Sequence, residues 1–415
     1  DGQGRAHLRR RSPRARRERD RPRAREEGRD ERVRDVRGEV RDRPIEAKTQ
    51  RQRDDDEEVE AEDREAADGE ADGDGRGEAR RRHRAAPQIV PSAQPREVLG
   101  GVLLHGDLST LYRVNLWTRL ATRVLVRAGT VRALHFEELR RKTATLPIQS
   151  FVRSAVRLRV SATAHRCRLI HTGAIIERVE LALADAGLTT TLDEAAPLLQ
   201  VFIRGDADLF TLSIDTSGEL LHRRGYRLED GGAPLRETLA PALLQLAGYA
   251  PTLALCDPMC GAATLAIEAA LWALQRAPGI GRRFAFQDWP GYSPLLWQQL
   301  TDEARRNERV QLAQPIFVSD RDPKVLDLAR RNADRAGVLA HLQLQCTDVR
   351  NLRLPPVEQG LILCNPPYGK RLRDPRLIDT YRSLGALSRR SPGFRLSVFT
   401  TTAQLASAAG TVRSV

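Results

Sequence analysis

Residues 252–274 read TLALCDPMCGAATLAIEAALWAL, and the order of residue types in them decides the fold. Leu253, Ala254 and Leu255 open a short apolar run that stops at Asp257-Pro258, the pattern of a buried strand with an abrupt end. Gly261-Ala262-Ala263-Thr264 is a turn of small residues, and the apolar spacing from there through Leu274 predicts a helix. Strand, tight turn and helix start is the geometry that aims backbone N–H groups at a ligand. A glycine-containing turn alone is common in α/β proteins and decides little.

Working outward, the pattern recurs. Ile316-Phe317-Val318-Ser319 predicts a strand ending in Asp320, followed by Asp322-Pro323 and a helix holding Ala329-Arg330-Arg331-Asn332. Residues 341–346 predict a strand that ends in Thr347-Asp348. Leu361-Ile362-Leu363-Cys364 predicts another, stopped by Asn365-Pro366-Pro367-Tyr368. Open α/β sheets bind ligands at the carboxyl ends of their strands, where all four chemical positions fall. The Asn365 side-chain carbonyl and the backbone carbonyl beside it suit an exocyclic amino group, and Tyr368 offers a face for a base to stack on. By itself the tetrapeptide reads equally as a proline-rich turn, and each aspartate has a plain alternative as a helix cap or turn former. Four such endings in succession favour a site.

Composition divides the chain. Residues 1–100 hold 27 Arg and Lys against 26 Asp and Glu, with no aromatic residue. Too little apolar surface is available there to offset ordering entropy, so residues 1–98 are expected to form a disordered, low-complexity charged tail. The first fifty residues lean basic, and Asp54-Asp55-Asp56-Glu57-Glu58 opens an acidic stretch. The other 41 basic and 29 acidic residues lie in 101–415, so nearly all of the +13 net charge belongs to the folded part. A basic globular region points to a polyanion, nucleic acid before membrane, although an arginine-rich composition explains part of it.

No run approaches the roughly 18 apolar residues of a membrane span, and no signal peptide is visible. Cys256 and Cys260 have no second pair or histidine cluster, so no metal site is expected. Five scattered cysteines fit reduced thiols in the cytoplasm. The chain begins with Asp1 and has Met259 as its one methionine, so it reads as lacking a native start.

DPMCGAAT, SDRDP, TDV and NPPYGKRL, in that order, resemble class I S-adenosylmethionine-dependent methyltransferases that modify the amino groups N6 of adenine and N2 of guanine. The resemblance implies a Rossmann-like α/β domain over 228–415, cut short at its carboxyl end. It implies that Asp257, Met259, Gly261 and Thr264 line the cofactor, Asp257 and Gly261 at its methionine part. Asp320 would take the ribose hydroxyls, Asp348 the adenine amino group, and Asn365, Pro366, Pro367 and Tyr368 the target base, with Asn365 also touching the cofactor.

Residues 99–227 carry a second resemblance. Ala155–Ala164 alternates as a half-buried strand, a helix follows with Ile175, Val179 and Leu183 on one face, and Leu199–Ile203 with Phe210–Ile214 predicts a hairpin around Gly205-Asp206. SIDTSGELLHRRGYR (213–227) and APLRETLAPALL (233–244) resemble the junction of THUMP-domain RNA methyltransferases. This implies a ferredoxin-like remnant plus a THUMP RNA-binding domain, α+β, ahead of the catalytic domain. Arg166, Arg168, His171 and Arg178 are candidate phosphate contacts, each with a plain alternative as solvated surface. The stretches 100–125 and 276–300 are most similar to the guanine-N2 methyltransferase half of the bacterial 23S ribosomal RNA methyltransferases of the K/L group.

The expected function is therefore methyl transfer to N2 of a guanine in 23S rRNA, with S-adenosyl-L-methionine as cofactor and RNA as partner. Guanine-N2 methylation of tRNA, adenine-N6 methylation, and a catalytically weakened RNA-binding relative stay open, as does the oligomeric state. Three departures bear on activity. The family's Gly-Ser-Gly-Thr turn has Ala262 and Ala263 here, and Ala263 is expected to resist positive φ and to crowd the cofactor. Pro241 falls inside a helix expected over 235–247. The family's first strand is not recognisable ahead of Gly100.

Overall fold

A computed structural model describes residues 95–98, 100–228, 235–366, 376–400 and 402–411, and the backbone alone of Pro44–Lys48. Two sheets organise them. The first has seven strands: β1 (Pro44–Lys48), β2 (Arg96–Val98), β3 (Gly101–His105), β4 (Arg123–Arg132), β5 (Arg157–His165), β6 (Leu198–Asp206) and β7 (Leu209–Asp215). Their order is β2-β3-β1-β4-β7-β6-β5, antiparallel except for the β5–β6 pair. Helices α1 (Leu108–Trp117), α2 (Phe136–Thr143) and α3 (Thr172–Asp185) accompany it. Asp107 caps α1 by accepting the Thr110 N–H at 2.9 Å. Helix α3 buries Ile175, Val179 and Leu183, the face that the spacing predicts.

Two details depart from expectation. Strand β1 comes from the charged segment, where Ile45 and Ala47 alternate with Glu46 and Lys48. A composition averaged over a hundred residues hides an alternation five residues long. The hairpin of β6 and β7 turns at Ala207-Asp208, not at Gly205-Asp206, and both turn residues have positive φ, 49° and 62°. That left-handed pair matches the twist of the flanking strands. Gly205 is instead a ladder residue, where an added Cβ would meet Phe210 and Cys167 within 3 Å.

The second sheet is parallel throughout. After α4 (Leu239–Leu246) come β8 (Ala254–Asp257), α5 (Thr264–Ala273), α6 (Pro294–Arg306), β9 (Ile316–Asp320), α7 (Pro323–Arg335) and β10 (Leu342–Cys346). Then follow β11 (Gly360–Cys364), α8 (Arg376–Arg389), β12 (Phe394–Val398) and α9 (Ala403–Ala408). The order β10-β9-β8-β11-β12 reverses direction at β8, a topological switch point of an open α/β sheet. Strands β8 and β11 are wholly buried, which is why they read as unbroken apolar runs. Helix α4 begins at Leu239, later than the spacing suggests. Pro241 therefore sits in its first turn, where its missing N–H has no helical partner to lose.

The segment between α5 and β9 joins the two sheets. Phe284, Phe286, Trp289, Leu300 and Ala304 share a core with Tyr112 of α1 and with the first sheet. Tyr112 stacks on Phe286 at 4.6 Å, and its hydroxyl accepts the Ser293 N–H at 2.8 Å. Full burial pushes the Tyr112 phenol up to about 12. The chain leaving β7 is tied down by polar bonds. Asn115 Nδ2 donates to Thr216 Oγ1 at 2.8 Å, Ser217 Oγ to Asn115 Oδ1 at 3.1 Å, and Arg123 pairs with Asp215 at 3.1 Å. Further on, Tyr226 donates its hydroxyl to Glu268 on α5 at 3.1 Å, with Arg224 and Arg119 at 3.5 and 3.9 Å from the same carboxylate. Asp215-Thr216-Ser217-Gly218 of the junction motif is thus a structural lock.

Candidate active site

Asp348, Asp320, Asp257 and Asn365 stand at the carboxyl ends of β10, β9, β8 and β11, four neighbours in the sheet. Asp257 closes β8 and is 1% exposed. Its Oδ1 has no hydrogen-bond partner among the described residues. Burial raises its pKa to about 8, the Met259 N–H bond opposes the rise, and nearby Asp320 adds to it. An orphaned acid oxygen at a strand end is positioned for a donor brought by a ligand.

The turn after β8 is held by its neighbours. The Cys260 N–H donates to Ser319 O at 2.9 Å, and Ser319 Oγ to Pro258 O at 3.3 Å. The Gly261 N–H donates to Asp320 Oδ2 at 3.2 Å, and Asn332 Nδ2 to Ala262 O at 3.2 Å. Gly261 has φ 54°, and nothing lies within 4 Å of where its Cβ would be, so its backbone is open to close approach. Ala263 does take positive φ, 61°, despite its methyl group. That group is fully buried in the core with Leu265 and Ala266, so it faces inward and does not crowd the open side. Thr264, the first residue of α5, is buried, and Met259 packs against the core containing Cys256 and Cys364.

Asp320 Oδ1 also accepts the Asp322 N–H at 3.0 Å, and Asp322 caps α7 through the Lys324 N–H at 2.9 Å. Asp348 is gripped by Arg350, Nε to Oδ1 at 2.8 Å and Nη2 to Oδ2 at 2.9 Å, which holds its pKa below the usual carboxylate range. Asn365 is half-buried, and its Oδ1 has no partner among the described residues. The Phe399 N–H fixes the backbone just before it by donating to Cys364 O at 2.9 Å. Pro366 is buried, while Pro367 and Tyr368 lie outside the described residues.

The four candidate RNA contacts lie apart from this array, on the first sheet's loop before α3 and on α3 itself. Arg166 is paired with Asp206 at 2.7 Å, and Arg178 with Glu137 at 3.3 Å and Glu177 at 3.4 Å. Arg168 and His171 are exposed, and the Arg168 backbone N–H donates to Asp208 at 2.7 Å. Asn332 and Arg350 were not singled out by sequence. A signal existed for the first: Asn332 interrupts the apolar stripe Leu326, Ala329, Ala333, and a buried amide there needs a partner. Among the described residues no three His, Cys, Asp or Glu side chains cluster as metal ligands, and no helix is long and apolar enough to cross a membrane.

Comparison with known proteins follows the same division. Residues 224–414 match the family described as RMKL-like, methyltransferase domain, and residues 92–125 match the RlmL ferredoxin-like domain. A Synechocystis sp. protein named as a candidate RNA methyltransferase is 35% identical over 74% of this chain and 82% of its own length. The chain belongs to the RMKL-like methyltransferase family. Ribosomal RNA large subunit methyltransferase K/L of Syntrophotalea carbinolica is 37% identical over 75% of the chain but 46% of that relative. The chain therefore spans about half the length of the K/L relatives that it matches. A Listeria monocytogenes structure described as a predicted N6-adenine-specific DNA methylase superposes with TM-score 0.76 at 27% identity, over 89% of this chain and 92% of that one. A candidate methyltransferase solved with SAH shares the fold at TM-score 0.74 and 24% identity. The RMKL-like match brackets all the strand ends described above.

Proposed function

We propose that this chain transfers a methyl group from S-adenosylmethionine to the N2 amino group of a guanine in RNA, with large-subunit ribosomal RNA as the substrate. Residues 99–227 would receive the RNA, and residues 228–415 would carry out the transfer in the cytoplasm. The observation that carries the reading is the unpartnered, buried Oδ1 of Asn365 at the end of β11, beside the orphaned Asp257 on β8. Two acceptors without donors, at adjacent strand ends, fit a ligand that brings N–H groups to both.

The residues present fit the cofactor. Asp257 and the open backbone of Gly261 would hold its methionine part, Asp320 its ribose hydroxyls, and Asp348 its adenine amino group beside Arg350. When bound, the cofactor supplies a methyl group already activated by its sulfonium. The chain's task is then mainly positioning. Asn365 Oδ1 and the backbone carbonyl beside it would accept hydrogen bonds from the amino group. Those bonds strengthen as the nitrogen leaves conjugation with the ring and gains positive character. Proton loss follows transfer and requires no strong base. Tyr368 would hold the base by stacking.

Adenine N6 is the rival target, favoured by the description of the Listeria neighbour. Mass spectrometry of nucleosides from ribosomal and transfer RNA, with and without the gene, separates the readings. Loss of N2-methylguanosine from the large-subunit rRNA is expected. Loss of N6-methyladenosine instead would overturn the assignment of the base, and loss confined to tRNA the assignment of the RNA.

A further inference from the structure

Between the end of β7 and the segment joining α5 to α6 lies a cleft of about 570 Å3. Arg223 and Arg224 line it from the first side, and Arg282 and Arg283 from the second. Glu219 and Asp288 are its lining acids, so four cations face two anions. Arg224 turns inward and is satisfied, with Nη1 on Leu221 O at 2.7 Å and Nη2 on Arg119 O at 2.8 Å. Arg282 is held in place but not satisfied. Its Nη2 donates to Glu219 O at 2.8 Å and its guanidinium lies 5.3 Å from the centre of the Phe284 ring, while Nε and Nη1 are buried without a partner among the described residues. Arg283 pairs with Asp288 and is 72% exposed. Arg223 is exposed and has no side-chain partner among the described residues.

Like charges gathered around one cleft cost free energy unless a counter-charge joins them. Burial lowers the pKa of Arg282 and the charge of Arg224 lowers it further, while Glu219 and Asp215 oppose the fall. The rim is open: Gly225 and Gly281 have positive φ, 87° and 80°, and no atom lies within 4 Å of where either Cβ would be. Planar guanidinium donors at an open backbone suit a phosphate.

We propose that this cleft binds a phosphodiester of the RNA substrate, with Arg223 and Arg283 as the contacts and Arg282 as the fixed cation behind them. The inference rests on the RNA-methyltransferase reading and adds a binding site to it. The cleft is built by both the first-sheet side and the catalytic side, so an RNA bound here is held relative to each.

The test uses the full chain and a short fluorescein-labelled RNA hairpin with guanines in its loop. The double variant R223Q/R283Q changes two exposed side chains. It is expected to lower hairpin affinity about tenfold or more at low salt, and to reduce the slope of log affinity against log salt by about 1.4 to 1.8, the release expected from two phosphate contacts. Cofactor affinity is expected to stay unchanged. E219Q removes a lining charge from an exposed position and is expected to raise RNA affinity about two- to threefold. Wild-type affinity and slope in R223Q/R283Q would overturn the proposal, as would an E219Q protein that binds RNA more weakly. A wild-type chain that binds no RNA would instead overturn the parent reading.

Discussion

The Gly261 backbone N–H donates to Asp320 Oδ2 at 3.2 Å, so one carboxylate braces the turn after β8 from the end of β9. The other oxygen accepts the Asp322 N–H at 3.0 Å and sets the start of α7. Each oxygen spends one lone pair inside the protein and keeps another, so a bound diol can be gripped without disturbing the turn.

Asp320→Ala is accordingly expected to weaken cofactor binding by about 1–3 kcal/mol, the range for lost hydrogen bonds to a charged group. Asp320→Asn is expected to lose less, because an amide oxygen can still accept one bond. Calorimetric titration measures both. An unchanged dissociation constant in Asp320→Ala would remove Asp320 from the site.

Asp257 predicts a pH dependence. Its acid is raised to about 8, first by burial, so it is mostly protonated at pH 7 in the free protein. A cationic methionine part beside it favours the ionised form, and binding then releases a proton. Affinity is expected to rise about tenfold from pH 7 to 9 and to level off above, since one pKa unit corresponds to about 1.4 kcal/mol. Calorimetry in buffers of different ionisation enthalpy reads the proton directly, and Asp257→Asn is expected to flatten the profile. For stability the sign is opposite to that of a salt-bridged carboxylate. The folded pKa lies above the unfolded one, so the contribution is fully present below about pH 4 and is lost as pH rises through about 8.

The ends of the four strands were legible in the sequence because the strands are short and sharply ended, and β8 and β11 are wholly buried. Apolar runs stopped by Asp257-Pro258, Asp320 and Asn365-Pro366, and an alternating strand stopped by Thr347-Asp348, leave little freedom in where the strand ends lie. Contacts made across the chain were not legible. Nothing local reveals that Phe284, Phe286 and Trp289 pack on Tyr112, or that Glu268 of α5 meets Arg119 and Arg224. The pairing of Arg166 with Asp206 is likewise set by a hairpin turn two residues from its expected place. Pro241 misled by one turn, since helix starts are read poorly where no capping side chain marks them.

Ala263 poses opposing terms. Relief of its left-handed backbone by glycine gains about 1–2 kcal/mol, the buried methyl group loses about 0.8 kcal/mol, and the looser unfolded chain loses about 0.4–1 kcal/mol. Ala263→Gly is therefore expected to shift stability by less than about 1 kcal/mol in urea unfolding, with cofactor affinity unchanged because the methyl group faces the core. Cofactor binding tightened more than about fivefold, or over 1 kcal/mol, would mean that the methyl group obstructs the ligand after all.

Asn365 carries the chemical prediction. Its Oδ1 is buried and unpartnered in the free chain, so replacing it with alanine removes an acceptor without stranding a donor. Asn365→Ala is expected to leave the fold intact and the affinities for cofactor and RNA within about threefold of wild type. Turnover is expected to fall far more, by about a hundredfold or greater, because the amino group presses on this oxygen hardest as nitrogen gains positive character. Asn365→Asp tests the same point with a charge: a carboxylate can accept the bond, so it should retain more activity than alanine at pH values where it is ionised. Single-turnover rates at saturating cofactor decide the matter. Equal losses in binding and rate for Asn365→Ala would make the residue a binding contact only, and a wild-type rate would reduce the tetrapeptide to a turn at the end of β11.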